Sequence, residues 1–279
     1  MELIEHRIVV PTECTPVRLL PFSCVHLDNP GHSASHWAAF KRDVQESPHT
    51  VVLGLGDYYD WLRTHARKFL ERYEDDDTSF DRLHDWRKQK AAEFANELRP
   101  FRDKIALLSK GNHVHQFPEG TNDVQEMCRL LKVPYGGHGG FLRLSICTPQ
   151  RGAHVVLNIL YHHGEKIGGG STIGGDINAM AKKAQGWEFD VFIVAHNHQK
   201  HGTHKPVLMV PKKGKMELVE RPKAFIRAGC HMRGYVRGCV TYAEAAGLME
   251  PTALGHVVLT VMPKKGHGNR IEHDFKVTY

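Results

Sequence analysis

Five short segments of this 279-residue chain are dense in side chains that bind metal ions. They are Cys24-Val25-His26, Gly56-Asp57-Tyr58-Tyr59-Asp60, Gly111-Asn112-His113, Tyr161-His162-His163-Gly164 and Ala195-His196-Asn197-His198. Imidazole suits zinc, iron and nickel, whereas carboxylate and carbonyl oxygens suit manganese and magnesium. A mixed His, Asp and Asn set therefore fits two borderline divalent ions, drawn from Mn, Zn, Fe, Ni or Co. Two ions ~3.5–4 Å apart can share a carboxylate and an acidified water, a device for hydrolysing phosphoesters and also amides or esters.

Chemistry of this kind needs elements that bring distant residues together. Each segment follows a short apolar run that reads as a buried strand. Leu19, Leu20 and Phe22 precede the first, residues 51–53 the second and 105–108 the third. Residues 155–160 and 191–194 precede the last two. Ligands at the carboxyl ends of several strands converge on one sheet edge, where open α/β folds place their sites. One match could be chance, but five in one chain are hard to explain as core histidines.

This order of motifs resembles the calcineurin-like metallophosphoesterase family. The family signature runs Asp-x-His, Gly-Asp, Gly-Asn-His with Glu or Asp next, a strand-end His, then Gly-His-x-His. The likeness spans residues 19–200, and the Tyr-His-His-Gly segment with glycines after it is similar to a phage and bacterial branch. The resemblance implies an α/β fold, a four-layer αββα sandwich of two mixed sheets flanked by helices. It also implies two adjacent metal ions and hydrolysis of phosphomonoesters or phosphodiesters, a nuclease activity included.

On that reading the metal ligands are Cys24, His26, Asp57, Asn112, His162, His196 and His198. Asp57, beside a glycine turn, is the bridging ligand, and the water between the ions is the nucleophile. His113 diverges from its neighbour Asn112 and is placed as the general acid or as a donor to the phosphate. Asn112, His113 and His163 are the substrate-facing residues.

The departures from the pattern are informative. Cys24 stands where the family has Asp, as in the RNA lariat debranching enzymes. A thiolate would shift that position toward zinc or iron; the alternative is a buried thiol that packs as a small hydrophobe. Ligation is the favoured reading, because Cys24 and His26 would share one face of a strand. Val114 replaces the acidic residue after Gly-Asn-His, and Ala195 replaces a glycine. Either imidazole of the His162-His163 pair could bind a metal. The spacing to Gly164 favours His162, with His163 facing the substrate or packing behind the site.

Composition sets the bounds. The chain is 41% hydrophobic, enough for a substantial core, and holds no run of eighteen apolar residues. Its start lacks a basic-then-apolar leader pattern. Six cysteines form no Cys-x-x-Cys pair and do not read as a disulfide framework, so a reducing cytoplasm is expected. A net charge of +6 favours phosphate-rich partners, nucleotide or nucleic acid among them. The lysine clusters at 211–215 and 263–266 read first as hairpin turns, and no nucleic-acid motif is evident. No membrane partner is expected.

The expected organisation is one domain over 1–279, with a helical insertion at about 61–103 and a β-rich part at about 205–279. Helices are expected at 33–46, with Ser33 as N-cap, and at 66–73, 80–98, 124–131 and 177–185. The acidic residues 75–77 read as a solvated loop and helix start. Residues 61–103 either lean over the site as a cap or form an outer helix pair. The glycine-rich stretch 164–175 lacks a P-loop ending and is read as a loop that lets substrate approach the metals, the alternative being a flexible surface linker. The alternative to an enzyme is a scaffold that kept the sheets and lost the metals, which would have no need for so many ligand-type residues.

Overall fold

Two β-sheets lie face to face in this computed structural model, each covered on its outer side by helices. The structure describes residues 1–61, 77–150, 152–168, 174–210, 216–245, 250–266 and 271–279. In chain order the elements are β1 (Glu2–Val9), β2 (Val17–Phe22), α1 (Ala34–Glu46), β3 (Thr50–Gly54), α2 (Asp77–Leu98) and β4 (Ile105–Leu108). There follow α3 (Asp123–Leu131), β5 (Gly139–Thr148), β6 (Gly152–His162), α4 (Gly175–Lys183), β7 (Val191–Val194) and β8 (Lys200–Met209). The chain closes with β9 (Val219–Cys230), α5 (Tyr242–Ala245), β10 (Gly255–His256), β11 (Val258–Lys265) and β12 (Ile271–Thr278).

One sheet runs β1-β5-β6-β7-β9-β10, with β8 also paired to β9; the other runs β12-β11-β2-β3-β4. Both are mixed. β2, β3 and β4 are parallel, as are β6, β7 and β9. β5 and β6 pair antiparallel, and so do β11 and β12.

Strand alternation builds the layers. Leu19, Val51, Leu53 and Leu107 from one sheet meet Leu144, Leu157, Ile159, Ile193 and Ile226 from the other in a central core. The opposite faces of the same strands carry a second set. Leu20, Phe22, Val52 and Leu108 pack under Trp37, Phe40 and Val44 of α1, Phe94 and Leu98 of α2, and Met127 and Leu131 of α3. Leu160, Phe192, Val194 and Phe225 pack under Met180 of α4. These contacts form the αββα sandwich that the resemblance implied. β3 is buried at all five positions because it is covered on both sides, which is why its sequence does not alternate. Each fully buried Leu, Ile or Phe contributes about 1.5–3 kcal/mol.

The helices fall close to their expected places. Ser33 precedes α1 but makes no side-chain cap bond. Its hydroxyl pairs with His36 Nδ1 at 2.8 Å instead, so the imidazole takes the oxygen that the helix end would have used. α3 has a full capping box from Asn122 and Gln125. The helix expected at 66–73 lies outside the described residues, as do parts of the acidic run, the first lysine cluster and the glycine-rich stretch. Among the described residues no helix is long and apolar enough to cross a membrane. All six cysteines are free.

Candidate metal centre

The strand ends lead the chain into an unusual backbone. Cys24, His26, Asp57, His196 and His198 all have positive φ, between 45° and 72°. Such conformations cost non-glycine residues about 1–3 kcal/mol each and persist only where surroundings enforce them. They correct the expectation that Cys24 and His26 share the face of a strand. β2 ends at Phe22, and two left-handed residues flank Val25, which is buried in the aromatic layer. The loops are zipped to one another: Cys24 N donates to Gly56 O at 3.0 Å, Val25 N to Asp57 O at 2.9 Å, and His231 N to Cys24 O at 3.0 Å. Gly111 is required behind Asp57, since a Cβ there would lie 2.0 Å from Asp57 Oδ1.

Asp57, Asn112, His163 and His196 form one group. His163 Nε2 lies 3.0 Å from both Asp57 Oδ2 and Asn112 Oδ1. His196 Nδ1 lies 3.0 Å from the same Asn112 oxygen and 3.2 Å from His163 Nε2. The other ring nitrogen of His163 donates to Leu55 O at 2.6 Å. A carbonyl can only accept, so that bond holds a proton on Nδ1 and turns Nε2 toward a carboxylate and an amide oxygen. The arrangement calls for positive charge at its centre. Burial would raise the Asp57 carboxyl, but His163, then His26 and His113, hold it far below the ordinary range. Burial, with His163 next, lowers His196.

Cys24, His26 and His198 form the adjoining group, their ligand atoms all within 4.8 Å of one another. His26 Nδ1 donates to Asp60 Oδ1 at 2.6 Å. Its Nε2 is buried and without a hydrogen-bond partner among the described residues; burial would lower this imidazole, but its bond to Asp60 and the charges of Asp60, Asp57 and Asp28 raise it. Burial pushes His198 down to about 3, with His26 adding to the effect, so that ring is neutral. Burial, then the Asp57 charge, pushes the Cys24 thiol well up. Two imidazoles beside a thiol fit a soft divalent ion, which displaces the protons they carry on binding.

That chemistry yields a test of Cys24. Cys24→Asp is expected to move the preferred activating metal toward Mn, and Cys24→Ala to weaken one ion by about tenfold or more while sparing the other. Metal titration of the three proteins decides it; one shared stoichiometry and preference would make Cys24 a packed thiol only.

His113 borders both groups. Its backbone N donates to Asp57 Oδ1 at 2.9 Å, and its Nδ1 lies 3.2 Å from Asp60 Oδ1. Its ring meets His26 edge-on at 5.2 Å. Asp60 is absent from the ligand set expected from sequence, although it ends the Gly-Asp-x-x-Asp run. It binds His26 and Asn29 and stands beside His113. Burial would raise Asp60, but His26, Asn29 and His113 hold it well below the carboxylate range. Asp28 fixes it from behind, accepting from Asp60 N at 2.6 Å and Trp61 N at 2.8 Å.

The expectation for His162 is corrected. His163, not His162, stands among Asp57, Asn112 and His196. Tyr161 points into the central core, so the pleat turns His162 to the outer face, where its Nδ1 accepts from Gly164 N at 2.8 Å. His163 lies one residue past the strand and turns back in. In helix α2, Phe94 packs in the aromatic layer, while His84 Nδ1 meets His115 Nε2 at 2.9 Å.

No family model matches the chain, and no curated protein matches it significantly. Among solved structures, Vps29 of Cryptosporidium parvum gives a TM-score of 0.39 at 10% identity, covering 94% of this chain and 98% of its own. A Streptococcus pneumoniae protein described as a predicted phosphoesterase gives 0.32 at 15%, covering 94% and 89%. Vps29 of Entamoeba histolytica complexed with Zn2+ gives 0.31 at 12%, covering 66% and 87%. Similarities this low carry no argument about the activity of this chain.

Proposed function

We propose that this chain is a phosphoesterase of the calcineurin-like type, acting on phosphodiesters with two divalent metal ions. The observation that carries this reading is the pair of adjoining buried donor groups. In one, the proton held on His163 Nδ1 leaves Nε2 facing Asp57 and Asn112. In the other, His26 Nε2 is orphaned beside Cys24 and His198. Buried polar atoms without partners are costly, and here the missing partner has the chemistry of a cation.

Cys24, His26 and His198 would hold one ion, of zinc or iron character. Asn112, His163 and His196 would hold the other, with Asp57 between them. The ions would supply Lewis acidity toward phosphoryl oxygens and an acidified water. The chain itself orients the reaction. Asp60 fixes the His26 ring and stands 3.2 Å from His113 Nδ1, which orients that imidazole. His113 then donates to the phosphate or to the leaving oxygen. The Leu55 carbonyl keeps His163 in the tautomer that presents Nε2.

The test is a metal screen. The purified chain is expected to hydrolyse bis(p-nitrophenyl) phosphate faster than p-nitrophenyl phosphate when Mn, Ni, Co, Fe or Zn is present. A chelator should abolish turnover and added metal restore it. Metal-loaded protein that is inert on both esters would favour a non-catalytic scaffold.

A further inference from the structure

We infer that the outer edge of β1 docks a second copy of this chain, the two β1 strands pairing antiparallel about a twofold axis at His6. The inference is independent of the metal centre.

β1 is the end strand of its sheet, and among the described residues no strand pairs with its other side. It runs parallel to β5 over all eight of its residues. Val10 N donates to Cys147 O at 2.8 Å. Bonds alternate along such a ladder, so residues 4, 6, 8 and 10 turn their backbone groups toward β5. Leu3, Glu5, Arg7 and Val9 turn theirs the other way, as a row of N–H and C=O groups aimed out of the sheet.

Folded proteins blunt exposed edges with short strands, prolines, bulges or charges. β1 has no proline and no shift in its register with β5. It does carry charges, but they are arranged to receive a copy of themselves. Leu3-Ile4-Glu5-His6-Arg7-Ile8-Val9 reads alike in chemical character from either end. Turning a second copy about His6 sets Glu5 against the partner's Arg7, and Arg7 against the partner's Glu5. It also sets Leu3 against the partner's Val9 and Ile4 against the partner's Ile8.

The register is selected by the same residues. Outward backbone groups must meet outward backbone groups, so the pairing can slip only by two residues. One slip sets Glu5 against the partner's Glu5, and the opposite slip sets Arg7 against the partner's Arg7. Like charges directly opposite on paired strands are destabilising, whereas opposite charges and apolar pairs are favourable. The favoured register is symmetric, as a closed dimer requires.

Both faces of the strand agree with this pairing. Leu3 is 81% and Val9 50% exposed, and the pairing lays each against the other. Ile4 and Ile8 already pack against the central core, which the partner's pair would continue across the boundary. Burial lowers the His6 imidazole, so the two rings meet at the axis uncharged at neutral pH. Glu5 lies 3.3 Å from Arg143 on β5, and the partner's Arg7 would approach it from the open side. Another extended peptide could use the same backbone groups, but the chemistry matched along all seven positions is that of β1 itself.

The experiment is sedimentation velocity of the full chain over a series of protein concentrations. The parent is expected to sediment as a concentration-dependent dimer. Glu5→Arg and Arg7→Glu should each weaken association by about tenfold or more, because each sets like charges opposite one another twice. Mixing the two variants should restore the dimer, since one chain then carries arginine at both positions and the other glutamate at both. Damage to folding is not repaired by mixing, so the mixture separates charge pairing from loss of structure. A parent that stays monomeric throughout, a dimer that neither substitution weakens, or a mixture that stays monomeric would overturn the inference.

Discussion

Asp57→Asn is expected to lower phosphodiester turnover by about 10³-fold and to reduce bound metal at both positions. Asp57 is the carboxylate that both donor groups feel. It touches His163 directly, and its charge acts on Cys24, His26, His196 and His198. Asn keeps the shape and one acceptor oxygen but removes the negative charge. It also places an amide N–H among side chains that already crowd the site, with His113 N at 2.9 Å from one oxygen. Loss of one preorganised electrostatic partner commonly costs about 10²–10³ in kcat, and a residue serving two ions belongs at the upper end. Elemental analysis of the purified variant and its turnover at saturating metal are the measurements. A variant that retains both ions and near-normal turnover would remove Asp57 from the centre of the mechanism.

His113→Ala should separate the proton donor from the ligands. Turnover is expected to fall by about 10²-fold or more, the scale of general acid assistance, while metal content stays near that of the parent. The reason is geometric. The His113 ring stands beside Asp60 and His26 at the rim, and the bond that its backbone makes to Asp57 survives truncation of the side chain. The loss should shrink for esters with strongly acidic leaving groups, which need no proton. A parallel Asp60→Asn variant should show a smaller fall and a changed pH profile, because Asp60 acts through His113 and His26. Equal loss of metal and turnover in His113→Ala would make His113 a ligand instead of a donor.

Much of this protein is legible in its amino-acid sequence. Strand-length apolar runs ending in His, Asp and Asn are local patterns, and each strand end is where its run stops. The two-faced alternation of β5 and β6 and the buried stripe of Trp37, Phe40 and Val44 are likewise local, so sandwich layers and helix faces follow from them. The resemblance carried the layer order, which the packing of the two sheets and their helices matches.

Other features are settled only by tertiary contact. Residue spacing could not choose between His162 and His163, because the choice depends on where β6 stops and the chain turns. The inward direction of Cys24 and His26 comes from left-handed backbone held by hydrogen bonds to residues 56–58, not from a pleat. Asp60 is visible in the sequence as a residue but not as a partner of His26 and His113, since that pairing joins loops after three different strands. The sequence determined which chemical groups this chain owns and the strands that end in them. The fold decided which groups face one another, because ligand geometry is set by turns and packing that no local pattern encodes.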